Sequence, residues 1–151
     1  MSRKILIVDD EPQILRLLAS RLRANHYEVI AASDAPQGFR AANEERPDLI
    51  LLDIRMPGKD GPSLFGNLKE SSLTSDIPVI FITAYPQKNV RESVLALGAV
   101  DFIAKPFNAE DLLRKVEKAL ATPRPLKSSE TQKERKPTPT AGKDAEVEFS
   151  G

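Results

Sequence analysis

Short runs of branched aliphatic residues alternate with amphipathic segments five times along this chain of 151 residues. A short aliphatic run bounded by polar residues is typical of a strand that is buried on both faces of a sheet. The predicted strands are Lys4 to Val8, Glu28 to Ala32, Asp48 to Leu52, Val79 to Thr83 and Asp101 to Ala104. Because parallel neighbours need crossover helices, the alternation predicts an α/β fold with a parallel sheet covered on both faces.

The helices are indicated by apolar residues that recur three and four positions apart. Such stripes are formed by Ile14, Leu17, Leu18 and Leu22, by Leu64, Phe65 and Leu68, by Val90, Val94 and Leu97, and by Leu112, Leu113, Val116 and Leu120. A further helix over Asp34 to Glu45 has a weaker stripe, but Asp34 is a suitable N-cap and Pro36 suits the first turn. Asn108 is expected to cap the last helix.

The composition changes near Thr122. From there to Gly151 the large apolar residues are Leu126, Val147 and Phe149. Burial of so few side chains cannot offset the entropy that is lost when such a segment becomes ordered. We therefore expect one folded domain over residues 1–121 and a disordered polar tail over residues 122–151.

Charge and cysteine content exclude several classes of protein. The chain has 22 basic and 22 acidic residues, so it lacks the basic surface that is typical of nucleic-acid-binding proteins. The absence of cysteine excludes disulfides, zinc-thiolate sites and a thiol nucleophile. No apolar stretch approaches the roughly 20 residues of a membrane span. We expect a cytoplasmic protein without membrane insertion or direct nucleic-acid binding.

Charged residues stand at the ends of three predicted strands. Asp9 and Asp10 follow the first strand, Asp53 follows the third and Lys105 follows the fifth. Open parallel sheets place their functional sites at the carboxyl ends of the strands. If the first and third strands are neighbours, the three carboxylates meet in one cleft, and their mutual repulsion then requires bound protons or a bound cation.

Carboxylates without cysteine or histidine partners suit a hard cation, and Mg²⁺ fits best. The single histidine, His26, is predicted on the far side of the sheet and is a poor candidate ligand. Mg²⁺ held by few protein groups usually has phosphate oxygens in its remaining positions. Lys105 offers a positive charge to such oxygens, and Thr83, at the end of the fourth strand, offers a hydroxyl donor.

One of the carboxylates is also a candidate nucleophile that would form an aspartyl phosphate. Asp53 is the choice because it is alone at its strand end, whereas Asp9 and Asp10 form a pair that is better suited to metal binding. A single aspartate after a strand is more often a turn or cap residue than a catalytic one. The agreement of four charged positions makes that ordinary explanation much weaker.

These residues resemble the receiver domain of two-component response regulators, of the CheY-like superfamily, over residues 4 to about 121. The matching elements are the triplet Asp9-Asp10-Glu11, Asp53 with Met56-Pro57 and Asp60-Gly61, Thr83-Ala84, and Lys105-Pro106-Phe107. They occur in the order of the family and at similar spacing. The resemblance implies a doubly wound, flavodoxin-like sheet of five parallel strands in the order 2-1-3-4-5, with five helices.

The resemblance also implies the chemistry of the site. Asp53 would accept a phosphoryl group from the phosphohistidine of a sensor histidine kinase or a phosphotransfer protein. Mg²⁺ would be bound by Asp10, Asp53 and the backbone carbonyl of Arg55, with Asp9 assisting. Lys105 would contact the phosphoryl oxygens, which implies a phosphoacceptor and not an enzyme with its own substrate.

A switch is implied in the same way. Thr83 would move toward the phosphoryl group, and Phe102, at the position of the family's switching aromatic, would turn inward. The altered face would comprise the fourth predicted helix, the fifth strand and the fifth predicted helix, and it would bind a downstream protein target.

Two other readings compete with a stand-alone receiver that signals through protein contact. In the first, the chain is the receiver segment of a longer regulator, with Thr122 at the start of a linker. A small Mg²⁺-dependent phosphohydrolase with an aspartate nucleophile is disfavoured, because the sequence shows no obvious substrate lid and no second acid or base.

Overall fold

The computed structural model of the chain describes residues 2–54, 61–84, 92, 95, 96 and 98–121. The predicted polar tail over residues 122–151 lies outside this part of the chain. So do Val90, Val94 and Leu97, which predicted the helix between the fourth and fifth strands, and so does Arg55.

The five strands form one parallel sheet. They are β1 (Lys4–Val8), β2 (Glu28–Ala32), β3 (Leu49–Asp53), β4 (Val79–Thr83) and β5 (Asp101–Ala104). Their order in the sheet is β2-β1-β3-β4-β5, and every neighbouring pair is parallel. The predicted fold class and strand order are confirmed. Four strands have the predicted bounds, so the aliphatic runs located them well.

The third strand begins and ends one residue later than predicted. Asp48 precedes the strand, where its carboxylate accepts a hydrogen bond of 2.8 Å from the backbone N–H of Lys4. At the other end, Asp53 belongs to the ladder and is paired with Ile82 of β4. The bond between Asp48 and Lys4 joins distant parts of the chain, and an aliphatic pattern does not reveal it.

Four of the five predicted helices lie in the described part of the chain. They are α1 (Pro12–Ala24), α2 (Ala35–Glu45), α3 (Gly61–Glu70) and α4 (Ala109–Ala121). Two N-caps are as predicted from the sequence. Asp34 Oδ1 accepts a hydrogen bond of 2.8 Å from Gln37 N, and Asn108 Oδ1 accepts one of 3.0 Å from Asp111 N. None of the helices in the described ranges is long and apolar enough to cross a membrane.

A hydrophobic layer lies on each face of the sheet. Alternate residues of a strand point to opposite faces, so Leu6 and Val8 lie in one layer and Ile5 and Ile7 lie in the other. Helices α2 and α3 contribute to the first layer, and α1 and α4 contribute to the second. Burial on both faces leaves the ends of the strands as the exits for polar side chains.

The weak apolar stripe of α2 has a steric explanation. The residues of this helix that face the sheet are small, namely Ala35, Gly38 and Ala42. A Cβ atom at Gly38 would lie 3.0 Å from Val8 Cγ2 and 3.2 Å from Leu64 Cδ2. The helix therefore packs close to the sheet through small residues, which give little hydrophobic signal in the sequence.

Phe81 offers a test of the core. It is fully buried, and its ring lies 5.4 Å from the ring of Phe65 between centroids. Phe81→Ala is expected to lower the free energy of unfolding by about 3 to 5 kcal/mol, measured by urea denaturation. The matched control is Phe39→Ala, because Phe39 is 36% exposed, and its expected cost is about 1 kcal/mol or less. Equal costs for the two variants would contradict this core.

Candidate functional site

The acidic pair lies directly after β1. Asp9 is fully buried, and its backbone N–H donates a hydrogen bond of 3.1 Å to the carbonyl of Ala32. Its Oδ1 accepts a hydrogen bond of 2.9 Å from the backbone N–H of Glu11. Asp10 is only partly buried. The turn from β1 into α1 thus fixes one carboxylate and leaves its neighbour nearer to solvent.

Asp53 is brought next to this pair by the sheet. β1 and β3 are neighbours, and Val8 is in register with Leu52. Asp53 follows Leu52 as Asp9 follows Val8, so the two aspartates lie side by side at the same end of the sheet. Asp53 is 4% exposed. Carboxylate oxygens of Asp9, Asp10 and Asp53 all lie within 4.8 Å of one another.

Lys105 enters the cluster from the end of β5. Its ammonium nitrogen lies 2.8 Å from Glu11 Oε1, 2.9 Å from Asp9 Oδ2 and 3.5 Å from Asp53 Oδ2. Its side chain is 10% exposed, and the Lys105–Pro106 peptide bond is cis. One ammonium therefore faces a carboxylate at the end of β3 and two carboxylates from the turn that follows β1.

The pKa of Lys105 reflects this environment. Burial alone lowers the pKa of a lysine because the charged form loses its hydration. The contacts with Glu11 and Asp9, together with the negative charge of Asp53, outweigh burial and raise the pKa of Lys105 above its ordinary value. The ammonium consequently stays charged throughout the physiological range and offsets part of the negative charge of the cluster.

Thr83 and Phe102 lie on β4 and β5, the two strands that follow β3 in the sheet. Thr83 ends β4, is 4% exposed and accepts a hydrogen bond of 2.7 Å at its carbonyl from the backbone N–H of Lys105. Phe102 pairs with Phe81 and is partly buried. The carbonyl of Phe102 accepts a hydrogen bond of 2.7 Å from Lys115 Nζ, which also lies 5.1 Å from the centre of the Phe102 ring. Its backbone N–H donates to Asp101 Oδ1 at 2.8 Å.

The donor set fits a hard divalent cation. Asp9 Oδ2 is buried and forms an ion pair with Lys105, but it has no aligned hydrogen-bond donor among the residues that the structure describes. Three convergent carboxylates with an oxygen of this kind suit Mg²⁺, which prefers oxygen ligands and retains several waters. The predicted fourth ligand, the carbonyl of Arg55, lies outside the described residues.

Two contacts are not predicted by the sequence pattern. The pattern places Glu11 only in the triplet with Asp9 and Asp10, whereas in the structure its carboxylate makes the shortest contact with Lys105. The pattern assigns no role to Lys115, whereas in the structure Lys115 contacts both the carbonyl and the ring of Phe102. The sequence contains a signal for Glu11 alone, because glutamate is an unusual residue at the N-cap position of a helix.

Comparison with known proteins assigns this arrangement to a family. Residues 5–117 match the model of the response regulator receiver domain. The chain belongs to this family. Receiver domains are the signalling modules of two-component systems: they interact with histidine kinases and downstream effectors, and they bind Mg²⁺ at an aspartate cluster of this kind.

Similar proteins include both long regulators and isolated receiver domains. The chain is 42% identical over 116 residues to the response regulator PleD of Caulobacter vibrioides, covering 77% of this chain and 26% of PleD. It is 36% identical over 126 residues to the phosphate regulon transcriptional regulatory protein PhoB of Escherichia coli, covering 83% and 55%. The chain thus spans about a quarter of PleD and about half of PhoB.

Solved structures agree with the fold. Chemotaxis protein CheY4 of Vibrio cholerae has a TM-score of 0.75 and 28% identity, covering 79% of this chain and 99% of CheY4. The BeF3-activated receiver domain of Klebsiella pneumoniae RstA has a TM-score of 0.73 and 29% identity, covering 80% and 100%. The sheet and its helices therefore match receiver domains over nearly the whole length of those structures.

The ion pairs of Lys105 predict that its removal lowers the free energy of unfolding. Lys105→Met leaves buried carboxylates without their ammonium, and we expect the free energy of unfolding to fall by about 3 kcal/mol at pH 7. Lys4→Met is the control, because Lys4 contacts the half-exposed carboxylate of Glu45 at 3.4 Å. That pair is expected to contribute about 0.5 kcal/mol or less.

The pH dependence of this loss follows from the raised pKa. The contribution of Lys105 is complete below the pKa of the unfolded chain, about 10.5, and disappears as pH rises through the higher pKa of the folded protein. Urea denaturation should therefore give a constant difference between wild type and Lys105→Met from pH 7 to about pH 10, and a smaller difference above it. A difference that grows with pH in the alkaline range would contradict the ion-pair assignment.

Proposed function

We propose that Asp53 is the phosphoacceptor of a two-component signalling protein and takes its phosphoryl group from a histidine kinase or a phosphotransfer protein. The main support is that the Asp53 carboxylate lies beside two further carboxylates and 3.5 Å from the Lys105 ammonium at the end of the sheet. The comparisons support it at the level of the family, because receiver domains act with histidine kinases.

The strand order favours Asp53 over the other two aspartates. β3 lies between β1, which leads into Asp9 and Asp10, and β4 with β5, which lead to Thr83 and Lys105. A phosphoryl group on Asp53 would consequently have metal ligands on one side and the Thr83 hydroxyl on the other, with the Lys105 ammonium nearby. Asp9 is less suitable, because one of its oxygens is bonded to Glu11 N and the other is paired with Lys105.

The transfer itself needs little covalent assistance. The bond between phosphorus and the imidazole nitrogen of the donor breaks, a bond between phosphorus and a carboxylate oxygen of Asp53 forms, and the donor histidine is released. Enzymes and receivers accelerate such transfers mainly by alignment and by neutralisation of charge. Lys105 supplies a fixed positive charge beside Asp53, and the Thr83 hydroxyl is a donor for a phosphoryl oxygen.

Mg²⁺ completes the charge balance in this proposal. Asp9, Asp10 and Asp53 would hold the ion, together with the carbonyl of Arg55. When bound, it supplies positive charge to the carboxylates and to the oxygens of the phosphoryl group. The support from the structure is the convergence of three carboxylates, one of which has a buried oxygen without an aligned donor.

Phosphorylation would then bias a two-state element. Thr83 ends the strand next to Phe102, so a phosphoryl group that draws Thr83 toward Asp53 alters the space beside the Phe102 ring. The face that would change comprises the segment between β4 and β5, β5 itself and α4. Its partner would be a downstream protein and not nucleic acid, because residues 1–121 carry 16 basic and 17 acidic residues.

Labelling tests the phosphoacceptor directly. Incubation with Mg²⁺ and a small phosphodonor such as acetyl phosphate should add one acid-labile phosphoryl group, seen by intact-protein mass spectrometry. Asp53→Asn should abolish the addition, because the amide is not a competent nucleophile. Asp101→Asn is the matched control, since Asp101 begins β5 at the opposite end of the sheet. Unchanged labelling of Asp53→Asn would refute the assignment.

Metal binding has a separate readout in stability. A ligand that binds only the folded state at ten times its dissociation constant adds about 1.4 kcal/mol to the free energy of unfolding. Mg²⁺ is expected to raise the thermal midpoint of the wild type and of Asp101→Asn. Asp10→Asn should lose most of this effect, because it removes a carboxylate from the cluster. Equal stabilisation of Asp10→Asn would remove Asp10 from the ligand set.

A further inference from the structure

Glu11 occupies the N-cap position of α1 without acting as a cap. Its carbonyl accepts hydrogen bonds of 3.1 Å from the backbone N–H groups of Ile14 and Leu15, as is usual for an N-cap residue. Its side chain makes no capping hydrogen bond. Serine, threonine, aspartate and asparagine are preferred at this position because they do cap. The glutamate side chain is therefore directed to some other contact.

That contact is Lys105, 94 residues away in the sequence. Glu11 Oε1 accepts a hydrogen bond of 2.8 Å from Lys105 Nζ, whereas Asp53 Oδ2 lies 3.5 Å from the same nitrogen. The ammonium is thus closer to the turn after β1 than to Asp53. Glu11 lies outside the cluster of three convergent aspartates.

The carboxylates that hold Lys105 differ in their freedom to move. The side chain of Asp9 is fully buried, and its other oxygen is bonded to Glu11 N. The side chain of Glu11 is 46% exposed, so its carboxylate can turn into solvent without leaving a buried charge. The contact with Glu11 is consequently the one that can be released when Lys105 gains a new partner.

On the basis of the proposed function, we infer that Glu11 is a positioning residue that holds Lys105 in the unphosphorylated state and opposes its engagement with a phosphoryl group on Asp53. A contact made in one state of a two-state equilibrium favours that state by its own free energy. The bond between Glu11 and Lys105 must weaken as the ammonium moves toward phosphoryl oxygens. Glu11 therefore sets how readily this receiver enters its phosphorylated state.

Two substitutions separate the contact from the charge. Glu11→Gln removes the negative charge. Glu11→Asp keeps the charge but shortens the side chain by about 1.5 Å, and aspartate at an N-cap draws its carboxylate to the backbone of its own helix. Glu45→Gln is the matched control, because Glu45 forms a 3.4 Å ion pair with Lys4 and its side chain is 48% exposed.

The decisive measurement is the affinity for beryllofluoride, which mimics a phosphoryl group without chemistry, at saturating Mg²⁺. Release of Lys105 is expected to lower the dissociation constant about threefold to tenfold in both Glu11 variants. This is the change expected from the loss of one charged hydrogen bond that is half exposed to solvent. Glu45→Gln should match the wild type. If only Glu11→Gln binds more tightly, the cause is charge alone and the inference is wrong, and it is equally wrong if neither variant changes.

A second readout needs neither metal nor ligand. In the metal-free protein, the ammonium hydrogens of Lys105 are expected to exchange with solvent several-fold faster in both Glu11 variants, observed by ¹⁵N-edited NMR of lysine side chains. Unchanged exchange would contradict the contact itself. If Glu11→Gln fails to fold, Glu11→Asp decides the question, because aspartate is a favourable N-cap.

These outcomes are distinguishable from a failure of the proposed function. Asp53→Asn serves as the reference variant that is expected not to bind beryllofluoride. If the wild type does not bind it either, the phosphoacceptor role on which the inference rests is contradicted. A wild type that binds it, with an affinity unaffected by both Glu11 substitutions, would contradict the role of Glu11 alone.

Discussion

The repulsion among carboxylates at the end of the sheet is the constraint on which the rest of the site depends. Asp9, Asp10 and Asp53 converge to within 4.8 Å of one another, and Asp9 is fully buried. Like charges at such distances in a poorly hydrated environment must be offset by positive charge or by protons. Lys105 provides one fixed positive charge, and the remaining imbalance is what makes the cleft receptive to a divalent cation.

The two hydrophobic layers of the sheet keep this unfavourable arrangement of carboxylates in place. β1, β3 and β4 are buried on both faces, with one aliphatic layer under α2 and α3 and another under α1 and α4. The strands cannot shift to relieve the repulsion without moving their side chains out of both layers. The free energy of the core therefore holds the carboxylates in positions that they would not adopt by themselves.

The sequence predicts the features that depend on local pattern, namely strand positions and helix caps. Aliphatic runs located the strands, and Asp34 and Asn108 were correctly expected to cap helices. The order of the strands came from the resemblance and not from periodicity, because a pattern of alternating elements does not say which strands pair. The one-residue shift of β3 was missed because it depends on Asp48 bonding to Lys4 N, a contact between distant parts of the chain.

The same distinction applies to the site. Asp9, Asp10, Asp53 and Lys105 could be chosen from the sequence because each stands at a strand end. The bond between Glu11 and Lys105 could not, since a side chain that leaves its cap position can be seen only when its distant partner is placed. Lys115 was missed for a similar reason, because its contacts with Phe102 depend on how α4 lies against β5.

Those contacts of Phe102 also bear on self-association. β5 is at the edge of the sheet, where free backbone groups invite the addition of another strand. At Phe102 both groups are occupied: the N–H is bonded to the carboxylate of Asp101, and the carbonyl is bonded to the ammonium of Lys115. A strand from a second molecule would have to displace both charged side chains, so these two contacts disfavour the pairing of another strand with β5 at Phe102.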